Sequence, residues 1–384
     1  MSQPPDEPRR PSLSVVRELT DRHVIEQLLA TPELTRAELA ARTHISKPTI
    51  SESIRRLAEA GVVAESGQQL GRRGPAGTFY RLRADVGVAV AASAGPDGVL
   101  VETLDLRGGL IDRRHTPVPV PTTRAQLDPV LRDATERVVT TAPGPVLAAT
   151  LSVAGPVDRA TGQLVQLPDS PFLVDALDPV PLLQPVLGLD PIVDNDVDWA
   201  ALAEREIGIA QGLDDFVYVF LGAGLGGAVV TGGRIAHGGR GLAGEIAHLL
   251  TVGAKGRSVR LIEAFVELGL RRTDSLALDL DLVRTALGGG TAADRRNRDR
   301  IVGALAAAIG SLAVLLDPEA VLVGGPWGDH PELVDRLPAA VAATTIVPTE
   351  VRFAELGPDA PHLGARLAAV REARAVLTGR SDLR

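Results

Sequence analysis

The sequence predicts an α/β protein, with a small helical domain in front of a larger body of strands and helices. Two observations support this. Apolar residues recur at helical spacing through the first 60 residues, and short β-rich runs divided by turns begin near residue 86. The chain has 384 residues, of which 45% are hydrophobic, so it has room for two or three domains with sizeable cores.

Composition excludes several classes of site. The chain has no cysteine, which excludes a disulfide scaffold, a thiolate zinc site, an iron–sulfur cluster and a cysteine nucleophile. The first residues, MSQPPDEPRRPS, contain no apolar signal segment, and the uncharged run Ile301–Leu316 is shorter than the roughly 20 residues of a membrane span. We therefore expect a cytoplasmic protein with no membrane partner, in which Arg295–Leu316 is a buried packing helix.

Charge divides the chain into two parts. Residues 1–85 hold 13 basic and 11 acidic residues, a net charge of +2, whereas residues 86–384 hold 27 basic and 37 acidic residues, a net charge of −10. Affinity for the phosphate backbone of nucleic acids is largely electrostatic. The split favours a protein that meets DNA with its N-terminal end and keeps the acidic body away from it.

Capping signals define the helices of the N-terminal part. Residues 1–14 are polar and proline-rich and are expected to be a disordered tail. Val15–Ala30 has one apolar helical face, and Thr35 with Glu38 forms the capping box of a short second helix. Ser46 caps a third helix that ends near Gly61.

A hairpin completes this domain. Val62–Glu65 pairs with Thr78–Leu82 across a glycine-bounded tip at 71–75. This order of elements predicts a winged helix-turn-helix over residues 15–85, whose third helix enters the major groove of DNA and whose wing contacts the backbone or the minor groove. The alternative is a small helical domain with merely solvated charges. The predicted DNA-binding residues are Ser46, Lys47, Thr49, Ser51, Arg55, Arg72 and Arg73.

The body alternates between strands and helices. Such alternation is typical of an α/β domain. The predicted strands are Val86–Ala91, Val99–Asp105, Leu110–Val118, Val146–Val153, Val217–Leu221, Ala228–Val230 and Ala320–Gly324, and the predicted helices are Thr123–Thr140 and Arg295–Leu316.

Two segments of the body carry specific motifs. The first, 193–204, reads VDNDVDWAALAE, and the second, 221–248, contains the glycine loop 222–227 and a Gly-Glu-x-x-His sequence. The glycines formally match a dinucleotide fingerprint, but β-branched residues follow where that motif needs a helix. The aspartates of 194–198 resemble the start of a calcium loop, but the sixth and twelfth positions hold Trp199 and Arg205, which excludes an EF-hand.

Taken together, these segments resemble the ROK family of repressors and sugar kinases over about residues 86–380. The turn Gly155–Asp158 and the strand ending at Gly325 are similar to other parts of that family. The resemblance implies a two-lobed actin-like (ribonuclease H-like) ATPase fold, the ROK sugar-kinase fold. It assigns lobe one to about 86–190 with a C-terminal helix at about 365–380, and lobe two to about 191–364.

The resemblance also implies a sugar site. Asp196 occupies the position of the base that accepts a proton from a sugar hydroxyl in the kinases, here a vestigial base, and Asn195 occupies that of a sugar hydrogen-bond partner. Glu245, His248 and Glu263 correspond to further sugar ligands. Carboxylates suit a sugar because each accepts hydrogen bonds from hydroxyl groups. The alternative is that these groups only cap helices and turns.

Two departures from the family pattern are expected to matter. Ala89 and Ala91 are aligned with the Asp and the first Gly of the phosphate-binding Asp-x-Gly-Gly-Thr sequence, so we expect no kinase activity and no cofactor. The cysteine positions of the family zinc motif hold Ala254, Gly256 and Leu261, so we expect no metal site. Packing of apolar side chains around Leu261 is expected to hold that loop instead.

These features predict a sugar-responsive transcriptional regulator, most often a repressor of carbohydrate-related genes. Its expected partners are operator DNA and a sugar or sugar derivative, and we expect a homodimer or homotetramer. Two alternatives stay open: a ROK sugar kinase with an added DNA-binding domain, and a DNA-binding protein whose body binds no ligand.

Overall fold

Three helices and a small antiparallel sheet form the N-terminal domain. The computed structural model describes residues 13–68, 77–167, 170–253, 256–273, 275 and 277–379. The sheet has the order β1-β3-β2, and the apolar faces of the helices pack together with it. The elements are α1 (Leu13–Ala30), β1 (Leu34–Thr35), α2 (Arg36–Thr43), α3 (Lys47–Glu59), β2 (Val63–Gln68) and β3 (Thr78–Leu82).

The predicted caps of this domain are confirmed. The Thr35 hydroxyl accepts from the Glu38 N–H, and the Glu38 carboxylate accepts from the Thr35 N–H at 2.8 Å, which is a complete capping box. The Ser46 side chain accepts from the Thr49 N–H at the start of α3. Between the two helices, His44 has φ +57°, so the turn closes in the left-handed conformation.

A five-stranded sheet of order β6-β5-β4-β7-β8 forms the first lobe. The hairpins β4–β5 and β5–β6 are antiparallel, whereas β7 runs parallel to both β4 and β8. α4 and α5 cover one face of this sheet, and α11 lies on the other. The elements are β4 (Val88–Gly95), β5 (Gly98–Leu104), β6 (Leu110–Thr116), α4 (Arg124–Thr140), β7 (Val146–Val153), α5 (Pro179–Leu187), β8 (Ile192–Asn195) and α11 (Ala360–Leu377).

A second five-stranded sheet, of order β11-β10-β9-β14-β15, forms the second lobe. α7 to α10 pack on one face, and α6 packs on the other, between this sheet and α11. The elements are α6 (Asp196–Ile207), β9 (Phe216–Leu221), β10 (Leu225–Thr231), β11 (Arg234–Ile235), β12 (Leu250–Val252), β13 (Ser258–Arg260), α7 (Leu261–Glu267), α8 (Leu280–Gly288), α9 (Ala292–Leu316), β14 (Ala320–Gly324), α10 (Pro331–Thr344) and β15 (Glu350–Phe353).

Two predicted boundaries need correction. The second lobe was expected from about residue 191, but β8 pairs with β7 over Ile192–Asn195, so the first sheet extends to Asn195. The first strand of the body was expected at Val86–Ala91, but it runs from Val88 to Gly95 because its whole length pairs with β5 and β7. A single sequence cannot reveal these partners, which set the ends of each strand.

Length and composition alone would allow one helix of the described chain, α9, to cross a membrane. In this structure, 56% of the most apolar stretch of this helix is buried within the protein. Its inward side chains, such as Ile301, Leu305 and Ile309, belong to the core of the second lobe. This burial agrees with the expected packing helix.

Candidate functional site

A cleft between the two lobes encloses a cavity of about 680 Å³. This volume is within the usual range for small-molecule sites. The β4–β5 hairpin and the N-terminal end of α11 form one wall, and the start of α6, the β9–β10 turn and residues 241–248 form another. Elements from both lobes therefore meet around the cavity.

Asn195 and Asp196 lie on the cavity wall, where β8 passes into α6. Asn195 is the N-cap of α6, and its Oδ1 accepts from the Val197 N–H at 2.8 Å. Asp196 Oδ1 lies 2.9 Å from the same N–H. Burial, together with the Glu245 carboxylate nearby, raises the pKa of Asp196 to about 7. Asp196 therefore changes charge near neutral pH.

Glu245 and His248 reach the cavity from a short 3₁₀ turn, Ile246–His248. Gly244, just before it, has φ +92°, and a Cβ there would lie 2.0 Å from the Gly227 carbonyl oxygen. Only glycine lets the loop pass this close to β10. The loop thus places the Glu245 carboxylate near enough to Asp196 to affect its ionisation.

Glu263, the fifth predicted sugar ligand, is not among the residues that line the cavity. Its carboxylate accepts from the Arg260 N–H at 2.9 Å and from the Arg260 guanidinium at 3.0 Å. It occupies the third position of α7, where it caps the helix. The contacts of Glu263 in this structure are thus those of the capping alternative.

Ala89 and Ala91 lie in the core of this structure and not at the cleft. Both are fully buried in a cluster with residues of α11 and the N-terminal domain, and neither lines the cavity. The part of the β4–β5 hairpin that lines the cavity is 93–98. Ser93 is the first residue of this part, and its hydroxyl faces the cavity region.

Sequence analysis missed a polar group around this hairpin. Ser93 Oγ lies 2.6 Å from Nδ1 of His362, and both residues line the cavity. His362 Nε2 lies 3.2 Å from Oε2 of Glu102, which is only 1% exposed. A distance of 269 residues separates Ser93 from His362, and no local motif signals their contact.

A second group that the sequence did not reveal lies behind Asn195. His237 Nε2 is 2.8 Å from Asp194 Oδ2, and Arg159 Nη1 is 3.2 Å from the same oxygen. Burial and the adjacent Asp194 raise the pKa of Asp198 well above its usual range. Among the described residues, Asp194, Asp198 and His237 are near enough together to hold a metal ion. Because Arg159 already supplies positive charge, we assign no metal there.

The glycine loop behaves as expected. A strand, β10, follows it directly, so it is not a dinucleotide-binding turn. Trp327 donates from Nε1 to the Gly222 carbonyl at 3.0 Å, which holds the loop against the second lobe. Of the positions aligned with the cysteines of the family zinc motif, Leu261 is fully buried and packs in one core cluster with Phe265. Ala254 lies outside the described residues.

The candidate DNA surface is the exposed side of α3. Ser46, Lys47, Thr49 and Arg55 are exposed, and Ser51 is half-buried. The Arg55 guanidinium lies 2.6 Å from each of the carboxylates of Glu52 and Glu59, two solvent-exposed acidic residues. Arg55 is thus held along the helix, and Ser46 also serves as the cap of α3.

Two further points concern this surface. Arg56, the neighbour of Arg55, is not part of it, because its guanidinium lies 2.7 Å from Asp21 and ties α3 to α1. Arg72 and Arg73 of the wing lie outside the described residues.

The fold and the cleft define a class: a two-lobed α/β domain with a sugar-kinase-like cleft, behind a winged helix-turn-helix. Residues 91–259 match the ROK family model, and residues 17–64 match a winged helix-turn-helix DNA-binding model. The chain therefore contains a ROK family domain preceded by a winged helix-turn-helix domain.

Relatives of two kinds resemble the chain. A xylose repressor from Caldicellulosiruptor bescii is 22% identical over 238 residues, which are 61% of this chain and 59% of the repressor. A glucokinase from Halalkalibacterium halodurans is 33% identical over 202 residues, 45% of this chain and 61% of the enzyme. Each match spans less than two thirds of the relative.

A solved structure extends the likeness of the fold to nearly the whole chain. The crystal structure of a ROK family transcriptional regulator, a homologue of the E. coli MLC protein, superposes with a TM-score of 0.67. The superposition covers 95% of this chain and 98% of that chain at 18% identity. The winged helix-turn-helix domain, called the head below, and the two lobes thus occur together in a known architecture.

Proposed function

We propose that this protein is a sugar-responsive DNA-binding transcriptional regulator, most often a repressor. The observation that carries the proposal is the union of a winged helix-turn-helix with a cleft that keeps Asn195 and Asp196 on its wall. The similar xylose repressor and the regulator of the same overall fold support it. Effector binding in the cleft changes the affinity of the head for its operator.

The cleft suits a polyhydroxylated ligand. Asn195, Asp196, Glu245 and His248 offer carboxylate, amide and imidazole groups around one cavity. Carboxylates accept hydrogen bonds from sugar hydroxyls, and the amide can both donate and accept. Asp196 accepts more strongly once it is ionised, so we expect sugar affinity to rise as the pH increases through about 7.

The head suits the major groove. Lys47 and Thr49 lie exposed in the first turn of α3, the end that enters the groove in helix-turn-helix proteins. Such proteins usually bind two half-sites as a dimer. Phosphate contacts by Lys47 and the wing arginines supply affinity that salt weakens.

A thermal-shift screen with the full chain tests the sensor. The panel holds D-xylose, D-glucose, N-acetyl amino sugars and the corresponding phosphates at pH 8. We expect at least one sugar to raise the melting temperature of the wild type. The same sugar should leave the melting temperature of Asp196→Asn unchanged. Operator sites selected from random DNA are then titrated with and without that sugar. If no sugar shifts either measurement, the sensor is refuted and a DNA-binding protein with a ligand-blind body is the better account.

A second candidate is a sugar kinase with an added DNA-binding domain. It is favoured by the similar glucokinase and by Asp196, whose pKa of about 7 suits a general base. Against it, Ala89 and Ala91 stand where the family's phosphate-binding sequence has an Asp, which helps to place a metal, and its first Gly. A coupled assay of ATP consumption over the same panel separates the two, because clear turnover would establish the kinase.

A further inference from the structure

We propose that Ser93 and His362 form an effector contact in the cleft, and that a chain of polar contacts carries its state to the DNA-binding head. The chain runs through Glu102, Arg366 and the β5–β6 turn. This inference rests on the proposed regulatory function and names the effector contact and the route that such regulation would use. It also has a consequence that can be measured without any ligand.

Ser93 is the first member of this series of polar contacts, at the cleft. Its Oγ lies 2.6 Å from His362 Nδ1, and both side chains line the cavity. A hydroxyl can donate one hydrogen bond and accept two, so Ser93 can meet a ligand hydroxyl while it stays bonded to the imidazole. The ligand class is therefore a polyhydroxylated one, whose hydroxyl competes for or reorients the Ser93–His362 hydrogen bond.

Glu102 forms the buried centre of the chain. It is 1% exposed, and its Oε2 lies 3.2 Å from both His362 Nε2 and Arg366 Nε. Arg113 Nε lies 3.5 Å from its other oxygen. A buried carboxylate is stable only while its partners stay in place, because an unpaired buried charge is costly. A shift of His362 is therefore expected to move Arg366 as well.

The β5–β6 turn joins this centre to the head. Arg366 Nη2 donates to the Gly108 carbonyl at 3.3 Å. The turn is held by Asp105 Oδ1, which accepts from the N–H groups of Arg107 and Gly109 at 2.7 and 2.8 Å. The Arg107 guanidinium donates to the Leu28 carbonyl at 2.6 Å, in the last turn of α1. A cation at a helix C-terminus is favourable, so this contact fixes the end of α1.

α11 provides a parallel mechanical link. Near its start, a Cβ at Gly364 would lie 1.9 Å from the Trp199 carbonyl oxygen, so the helix packs closely against α6, which begins at Asp196. Just past its end, the Thr378 carbonyl accepts from Arg22 of α1 at 2.9 Å. Val370 shares a core cluster with Leu28. α11 thus touches the sugar side of the cleft at one end and the head at the other.

The route has a sharp test, hydrogen exchange of the full-length protein without ligand. Ser93→Ala removes only the cleft hydroxyl, and we expect the amides in the last turn of α1 to exchange about 2- to 30-fold faster, the usual range of coupling through packed networks. Exchange in α10, far along the second lobe, should stay unchanged. Arg114→Ala, an exposed arginine of β6 that pairs with Asp112, is the matched control and should leave α1 unaffected.

A double-mutant cycle then separates a route from a general loosening. In an Arg107→Ala background the effect of Ser93→Ala on α1 should become clearly smaller, because the Arg107 contact is cut and only the link through α11 remains. If Ser93→Ala leaves α1 exchange unchanged, or if its effect persists fully without Arg107, the route is overturned.

The ligand arm distinguishes failure of the route from failure of the proposed function. Using the sugar with the largest thermal shift, operator affinity of the wild type should change about 5- to 150-fold. With Arg107→Ala the change should become clearly smaller than in the wild type, while sugar affinity stays within about threefold. If no sugar changes the operator affinity of the wild type, the proposed sugar-responsive function is refuted. The series of contacts from Ser93 to α1 is then still tested by the hydrogen-exchange experiment. An unaltered sugar response in Arg107→Ala overturns the route alone.

Discussion

Asp196→Asn offers a test of the cleft that needs no ligand, because the variant should become relatively more stable as the pH rises. Burial and the Glu245 carboxylate raise the pKa of Asp196 to about 7 from a usual value of 3.8. Below pH 4 both the folded and the unfolded chain hold the proton. Between about 4 and 7 only the folded protein holds it, so the free energy of unfolding falls as the pH rises. Above 7 the loss is complete.

The magnitude follows from the size of the shift. One pKa unit corresponds to about 1.4 kcal/mol, so the full cost of ionising Asp196 in the fold is about 4 kcal/mol. Its side chain opens onto the cavity, and solvent screening reduces the cost to roughly half. Asparagine keeps the shape and carries no charge. Between pH 5 and pH 8 the advantage of Asp196→Asn should therefore grow by about 1–3 kcal/mol, or several degrees in Tm.

The assay is urea or thermal denaturation of both proteins at pH 5 and pH 8, at one salt concentration. Asp215→Asn is the matched control, because the Gly232 N–H and the Thr231 hydroxyl lower the pKa of this half-buried carboxyl. A lowered pKa stabilises the fold at any pH above the unfolded value. Asp215→Asn should therefore lose stability equally at both pH values. If the gain of Asp196→Asn were the same at pH 5 as at pH 8, the placement of Asp196 would be wrong.

The remaining predictions concern the head, the loop and catalysis. Lys47→Ala, and the pair Arg72→Ala with Arg73→Ala, should each weaken operator binding in gel shifts and flatten its dependence on salt by about one unit of slope per lost phosphate contact. Unaltered shifts in both would contradict the assignment of the head. Gly244→Ala should lower the melting temperature and abolish any sugar-induced shift, because its Cβ would lie 2.0 Å from the Gly227 carbonyl oxygen and its φ is +92°. A fully stable, sugar-responsive Gly244→Ala would refute that packing argument. Incubation with ATP and each sugar of the panel should give no turnover above a protein-free control.

Much of the head could be predicted from the sequence because its signals are local. The capping box of Thr35 and Glu38 and the cap at Ser46 lie within four residues of the groups they bind, so a short stretch of sequence is enough to predict them. The partner of Arg56 could not be predicted in this way. Its contact with Asp21 bridges two helices, and only their packing reveals that it is a structural residue.

The cleft divides in the same manner. Asn195, Asp196, Glu245 and His248 belong to short motifs, and the structure places all four on the cavity wall. Glu263 lies off that wall, because a position within a motif does not say which way a helix turns its first residues.

The sequence by itself determined the order of the domains, the helices of the N-terminal domain, and the charge contrast between that domain and the body. These follow from periodicity, capping and composition, which act over a few residues or over sums of residues. The tertiary structure decided how far along β4 the cleft begins, and hence that Ala89 is a core residue and Ser93, on the same face of the strand, is a cleft residue. It alone brought His362 to Ser93 and Arg107 to the end of α1. Such contacts depend on how lobes and helices pack in three dimensions, and no local pattern records them.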